Sequence, residues 1–135
     1  MPLARITLHA GKPAEYLDAI SQAVHTSLVE TYEMDARDRF QVIEEVAPGR
    51  LQFSHDYAGG PRSNDFILVS VFSMPRRPSM KAAFYARLVE LLAVAPGIRR
   101  EDVFVVLADQ LTLDDISFAN GISAAALAKQ HRGAG

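Results

Sequence analysis

A strand, a helix and a strand follow one another twice in this 135-residue chain, and the second set repeats the first at an offset of 64. Leu28 maps onto Leu92, Asp38 onto Asp102, Phe40 onto Phe104 and Val42 onto Val106. Identity between the halves is slight, so what recurs is a pattern of residue types. Two such units with right-handed crossovers make one four-stranded sheet with both helices on the same face. The expected fold is therefore α/β (α+β), a tandem β-α-β pseudo-repeat. Its other face would lie bare. Phe40, Phe66 and Phe72 then need cover, which another subunit would supply. The length suits one domain over 1–135, with halves of about 2–64 and 65–125 and a tail over 126–135.

The elements follow from periodicity. Leu3 to Leu8 alternates as a strand does, and Gly11 and Pro13 punctuate it. Ala14 to Glu33 carries Leu17, Ile20, Val24 and Leu28 at helical spacing. A second strand covers Phe40 to Val46. The stretch from Arg50 to Asn64 is irregular, and its Gly59-Gly60 pair is too short a signal for a phosphate cradle. Phe66 to Phe72 is nearly continuous in apolar residues, as in a strand covered on both faces. A helix from about Met80 to Ala95 stops at Pro96-Gly97, and Val103 to Leu107 is the fourth strand. The remainder has weak helical character, with fraying expected from His131 to Gly135.

Composition removes several functions. The net charge is −2 with a pI near 6.1, so no basic field favours nucleic acid. Cysteine is absent, which excludes disulfides, thiol nucleophiles and cysteine metal sites. The four histidines are scattered without ligand spacing, so no metal is expected. No apolar run approaches the ~20 residues of a membrane helix, and no leader is seen, so a cytoplasmic protein is expected. A near-neutral chain can still hold a cationic pocket for a small acid.

Few residues are left to carry chemistry. Removal of Met1 would free the secondary amine of Pro2. An α-amino group titrates near ~7.7–8.0, which suits a general base or a carbonyl nucleophile at neutral pH. With Met1 attached, the same nitrogen is an inert amide, and Pro2 is simply a strand start. Asp38, between Arg37 and Arg39, is either a surface ion pair or an acid that orients water. Arg76 and Arg77 end the best strand and are either a solvated turn or a fork for a carboxylate. His25, among apolar neighbours, is expected to be packed.

Together, Met1-Pro2-Leu3, the run Ala36-Arg37-Asp38-Arg39-Phe40-Gln41, the strand and turn from Val69 to Arg76, Phe84-Tyr85, Asp102 to Leu107, and Ser117-Phe118 with Gly121 resemble the tautomerase superfamily. Within it they resemble the malonate semialdehyde decarboxylase family. The resemblance spans roughly Pro2 to Ala125. It implies a homotrimer with sheets packed inward, no cofactor, and a small carboxylate-bearing substrate. It implies that Pro2 is the catalytic proline, that Asp38 assists it and places water, and that Arg76 holds the carboxylate. The family's second arginine falls at Met74, and Arg77 is the candidate substitute. Phe118 corresponds to an aromatic pocket wall. The tryptophan expected two positions earlier is Ile116, in a chain without tryptophan.

The leading expectation is therefore keto-enol tautomerisation of a small 2-keto acid such as phenylpyruvate, with Pro2 as the base. Decarboxylation of a 3-oxo acid, or hydration of a related unsaturated acid, comes second because Met74 removes a cation. The third reading is an oligomeric binding protein with a degraded site.

Overall fold

The computed structural model describes residues 1–133. Its elements are β1 (Leu3–His9), α1 (Ala14–Thr31), β2 (Gln41–Val46), β3 (Ile67–Phe72), α2 (Pro78–Val94), β4 (Val103–Ala108) and α3 (Ala124–Gly133), with short 3-10 turns at Arg100–Asp102 and Leu113–Asp115. The sheet order is β2-β1-β3-β4. β1 runs parallel to β2 and β3 parallel to β4, as two crossover units require. The two units meet along an antiparallel seam, Leu3 opposite Phe72 and Leu8 opposite Ile67.

Alternation along the strands fixes the covered face. Ala4, Ile6 and Leu8 of β1 and Ile67, Val69 and Val71 of β3 form one buried cluster with both helices. α1 supplies Ile20, Ala23, Val24 and Leu28, and α2 supplies Phe84, Leu88 and Leu92. Pro78 sits in the first turn of α2, where its missing N–H costs nothing. Burying each large apolar side chain stabilises the fold by ~1.5–3 kcal/mol.

The repeat is visible in exposure as well as in order. Leu28 and Leu92 are 3% and 0% exposed, Phe40 and Phe104 47% and 44%, Val42 and Val106 44% and 47%. Equivalent positions thus face the same layer. Phe104 and Val106 lie on the sheet face without helices, where Arg5 pairs with Glu44 at 2.7 Å.

Phe66 departs from the expectation of inter-subunit cover. It is 4% exposed, because the irregular stretch folds Phe53 flat against it with ring centroids 4.3 Å apart. Arg62 fastens this stretch by donating to the carbonyls of Ser54 and Tyr57 at 2.9 and 2.7 Å. Gly60 has φ +98°, and a Cβ there would strike the His55 carbonyl, so only glycine fits this turn.

The tail carries a third helix. α3 runs through His131 to Gly133, and Ala134 and Gly135 lie outside the described residues. Ser123 starts this helix, its Oγ accepting from Ala126 N at 3.0 Å. Among the described residues, no helix is long and apolar enough to cross a membrane.

Candidate active site

The N-terminus and Asp38 are brought together by the parallel pairing of β1 and β2. Ala4 lies opposite Gln41, and its N–H donates to the Phe40 carbonyl at 3.1 Å. The segment before β2 therefore runs beside the start of β1. The Met1 ammonium lies 3.5 Å from Asp38 Oδ2, and Pro2 is buried. Asp38 Oδ1 is buried with no hydrogen-bond partner among the described residues. An unmatched buried carboxylate oxygen is costly, so Asp38 Oδ1 can accept from one more donor. The secondary ammonium of a Met-free Pro2 carries two N–H groups and is a donor of that kind.

Arg76 reaches the same end of the sheet through the antiparallel seam. β3 ends at Phe72 opposite Leu3, so continuing that register sets Ser73 across from Pro2 and Met74 across from Met1. On its other side Ser73 continues the pairing with β4, its N–H donating to the Ala108 carbonyl at 3.0 Å. The Arg76 guanidinium donates to the carbonyls of Met74 and Pro75, each at 3.1 Å, and lies over the Tyr32 ring at 4.9 Å. Met74 itself is half-buried.

Three residues that sequence reasoning passed over hold Arg76. Asp109 accepts from the Arg76 backbone N–H at 3.2 Å and from Lys81 Nζ at 2.6 Å. The hydrogen bond from Lys81, then that from Arg76, hold its carboxyl down at about 2. Tyr32 is 2% exposed and packs on Phe84, and burial pushes its phenol up to about 12. No local pattern marks them. Lys81 and Asp109 are a helix residue and a strand-end residue made neighbours only by the fold.

The other candidates divide. Phe118 is 44% exposed and its ring centroid lies 6.0 Å from that of Phe40, which brings it to the Asp38 corner. Ile116 is buried, with its carbonyl accepting from Ala124 N at 2.7 Å, so it anchors α3 two residues before Phe118. Arg77 lies 3.8 Å from Glu33, well exposed. His25 is packed, with Nε2 2.8 Å from the Ala36 carbonyl. Among the described residues no three His, Asp or Glu side chains gather as a metal site would require.

Among the described residues, this end of the sheet offers an amine position, a carboxylate with an unmatched oxygen, and a guanidinium with no acidic partner. These are the parts of proton transfer at a carbon next to a carbonyl, or of carbon–carbon cleavage in an oxo acid.

Comparison with known proteins gives the family and the fold. Two profiles described as tautomerase enzyme match residues 38–119 and 2–59. Probable tautomerase YusQ of Bacillus subtilis (strain 168) is 29% identical over 122 residues, covering 90% of this chain and 95% of that one. A malonate semialdehyde decarboxylase, solved to explain its decarboxylase and hydratase activities, superposes with a TM-score of 0.87 at 29% identity over 95% of this chain and 98% of that one. A second, FG41 malonate semialdehyde decarboxylase inhibited by 3-bromopropiolate, gives 0.84 at 32% identity over 95% and 96%. A fused 4-OT solved as a symmetric trimer shares the fold, with a TM-score of 0.75 at 23% identity over 93% of this chain and 98% of that one. Since the first profile spans more than half the chain and both ends of the candidate site lie within the matched regions, this protein belongs to the tautomerase enzyme family.

Proposed function

We propose that the chain, once Met1 is removed, is a cofactor-free enzyme that decarboxylates a small 3-oxo acid or hydrates a related unsaturated acid, working as a homotrimer. Pro2 is the reacting amine, Asp38 its partner and the group that places water, and Arg76 the carboxylate anchor. The observation that carries this reading is the near-complete superposition on two malonate semialdehyde decarboxylases. The unmatched Asp38 oxygen beside the N-terminus supports it.

Two routes lead to the same product. The Pro2 nitrogen can add to the C3 carbonyl and expel water, giving an iminium. The C1–C2 bond then breaks, CO2 leaves, and its electron pair becomes an enamine. Protonation at C2 and hydrolysis by water return Pro2 and the aldehyde or ketone. Alternatively, a protonated Pro2 polarises the carbonyl, and the electron pair becomes an enolate.

Met74 counts less against this chemistry than cation number alone implies. The carboxylate loses its charge as CO2 departs. A second arginine would therefore stabilise the bound acid more than the transition state, which strengthens binding without raising turnover.

A second reading, keto-enol tautomerisation of a 2-keto acid, is favoured by the Bacillus subtilis relatives, both named probable tautomerases. It needs only the amine and one cation. The deciding experiment offers malonate semialdehyde, acetoacetate and the phenylpyruvate enol to protein whose mass proves Met1 absent, beside Pro2→Ala. CO2 release that collapses in the variant supports decarboxylation, and borohydride trapping separates the iminium route. Ketonisation without CO2 release replaces it with the tautomerase reading. Silence on all three, or a Met1 that cannot be removed, sinks both and leaves a binding protein.

A further inference from the structure

A crossover helix runs back along the strands it joins, so α1 ends where β1 and β2 begin. Tyr32 closes that helix, its N–H donating to the Leu28 carbonyl at 2.8 Å. Its ring thus reaches the Pro2 end of the sheet. There the turn after β3 lays the Arg76 guanidinium over it, with Cζ 4.9 Å from the centroid. The ring is held firmly. It is 2% exposed and packs on the fully buried Phe84, with centroids 5.6 Å apart. Burial pushes its phenol up to about 12, so at neutral pH the ring meets the cation as an uncharged π face.

The guanidinium is tied down through one nitrogen. Nη1 donates to the Met74 and Pro75 carbonyls, each at 3.1 Å. Nε and Nη2 have no partner among the described residues. Those two nitrogens form the edge that takes a carboxylate side-on, through two parallel N–H···O bonds. Asp109 reaches only the Arg76 backbone N–H, at 3.2 Å, and its carboxylate is paired with Lys81 at 2.6 Å. The cation is therefore placed without an acid that a ligand must displace. The Tyr32 hydroxyl takes no part, being buried with no hydrogen-bond partner among the described residues.

We infer that Tyr32 is a positioning residue whose ring, not its hydroxyl, holds Arg76 with the Nε–Nη2 edge open to the substrate's carboxylate. This rests on the proposed function for Arg76 as the carboxylate anchor and extends it to a residue of the first helix.

Butanoate, which cannot react, tests the grip by calorimetry on protein whose mass proves Met1 absent. Tyr32→Leu should weaken its binding by about 3–30-fold, the range of a cation–π contact from part-exposed to desolvated, and Tyr32→Phe by less than about twofold. Phe84→Leu loosens the same core without touching Arg76, so it should lower the melting temperature and spare the affinity. The Arg76 Nε–H resonance, assigned with Arg76→Lys, should show an upfield ring-current shift in the unaltered protein and in Tyr32→Phe. That reading does not require Tyr32→Leu to fold. On any oxo acid turned over, Tyr32→Leu should raise KM and leave kcat within about threefold. An Nε–H signal without the ring shift overturns the inference. So does a Tyr32→Phe or Phe84→Leu loss as large as that of Tyr32→Leu, or an unaltered protein that binds no butanoate. Binding that follows the expected order with no CO2 released defeats the decarboxylase reading and leaves the role of Tyr32 standing. CO2 release with binding and KM indifferent to Tyr32→Leu does the reverse.

Discussion

The two ends of the antiparallel seam are built from equivalent residues and have opposite characters. At an offset of 64, Pro2 corresponds to Phe66, Asp38 to Asp102, and Arg76 to Lys12. At the Phe66 end the equivalent residues all have partners. Phe66 is stacked beneath Phe53, and Lys12 is bound to Asp65 at 2.5 Å. Asp102, 1% exposed, accepts from Ser63 N and Oγ at 2.6 and 2.7 Å and from Arg99 at 3.4 Å. Burial pushes its carboxyl up, yet these hydrogen bonds outweigh that and hold it below the usual range. At the Pro2 end, among the described residues, Asp38 keeps an unmatched oxygen and the Arg76 side chain has no acidic partner. The same frame makes a fastening at one end and, on the proposed function, a reactive corner at the other. What separates them is whether neighbouring loops satisfy the polar groups.

The sharpest way to break this contrast is to remove the reactive members. Pro2→Ala and Asp38→Asn should each lower kcat/KM on the accepted oxo acid by ~10²–10⁴-fold, the usual worth of a positioned acid or base, with the thermal midpoint little changed. Phe66→Ala at the closed end should do the reverse: about 3–5 kcal/mol less stable in denaturant melts, with kcat retained in the folded protein. Asp102→Ala orphans the Ser63 N–H and should cost ~1–3 kcal/mol, again without a specific loss of kcat. If Asp102→Ala abolishes turnover while the fold persists, the division of labour between the ends is wrong.

The smallest effect concerns the acid limb. Asp109 titrates at about 2 rather than 3.8, so the folded state favours its charged form. That contribution is complete above the ordinary value and fades as pH falls toward about 2. Melting temperatures followed between those pH values should drop less steeply for Asp109→Asn than for the unaltered protein. The variant should also raise KM more than it lowers kcat, since it loosens the turn bearing Arg76.

The strands and the first two helices were legible because each pairs a simple period with a clear stop, as Pro96-Gly97 does for α2. The pseudo-repeat was legible for the same reason. Phe66 was misread because its cover comes from Phe53, in a stretch without period whose path depends on Arg62 and Gly60. α3 was underread because four alanines give little amphipathic contrast, and Ser123 is an ordinary residue until it caps. For the site, residue chemistry alone left Asp38 and Arg76 as surface pairs or functional groups, and resemblance supplied their roles. The structure adds the register that carries Asp38 to the N-terminus and the pairing of Arg77 with Glu33, which chain adjacency to Arg76 does not determine.

The antiparallel seam also dictates how such a site can be inherited. Pro2 and Asp38 lie in the first unit and Arg76 in the second, so each unit lends one arm to the far end of the other. A gene broken between residues 47 and 65 would encode two fragments, neither holding a whole corner, and function would return only when they paired again. A duplication that left two equal corners allows one to drift into a clasp while the other keeps the chemistry, since neither shares a residue with its counterpart.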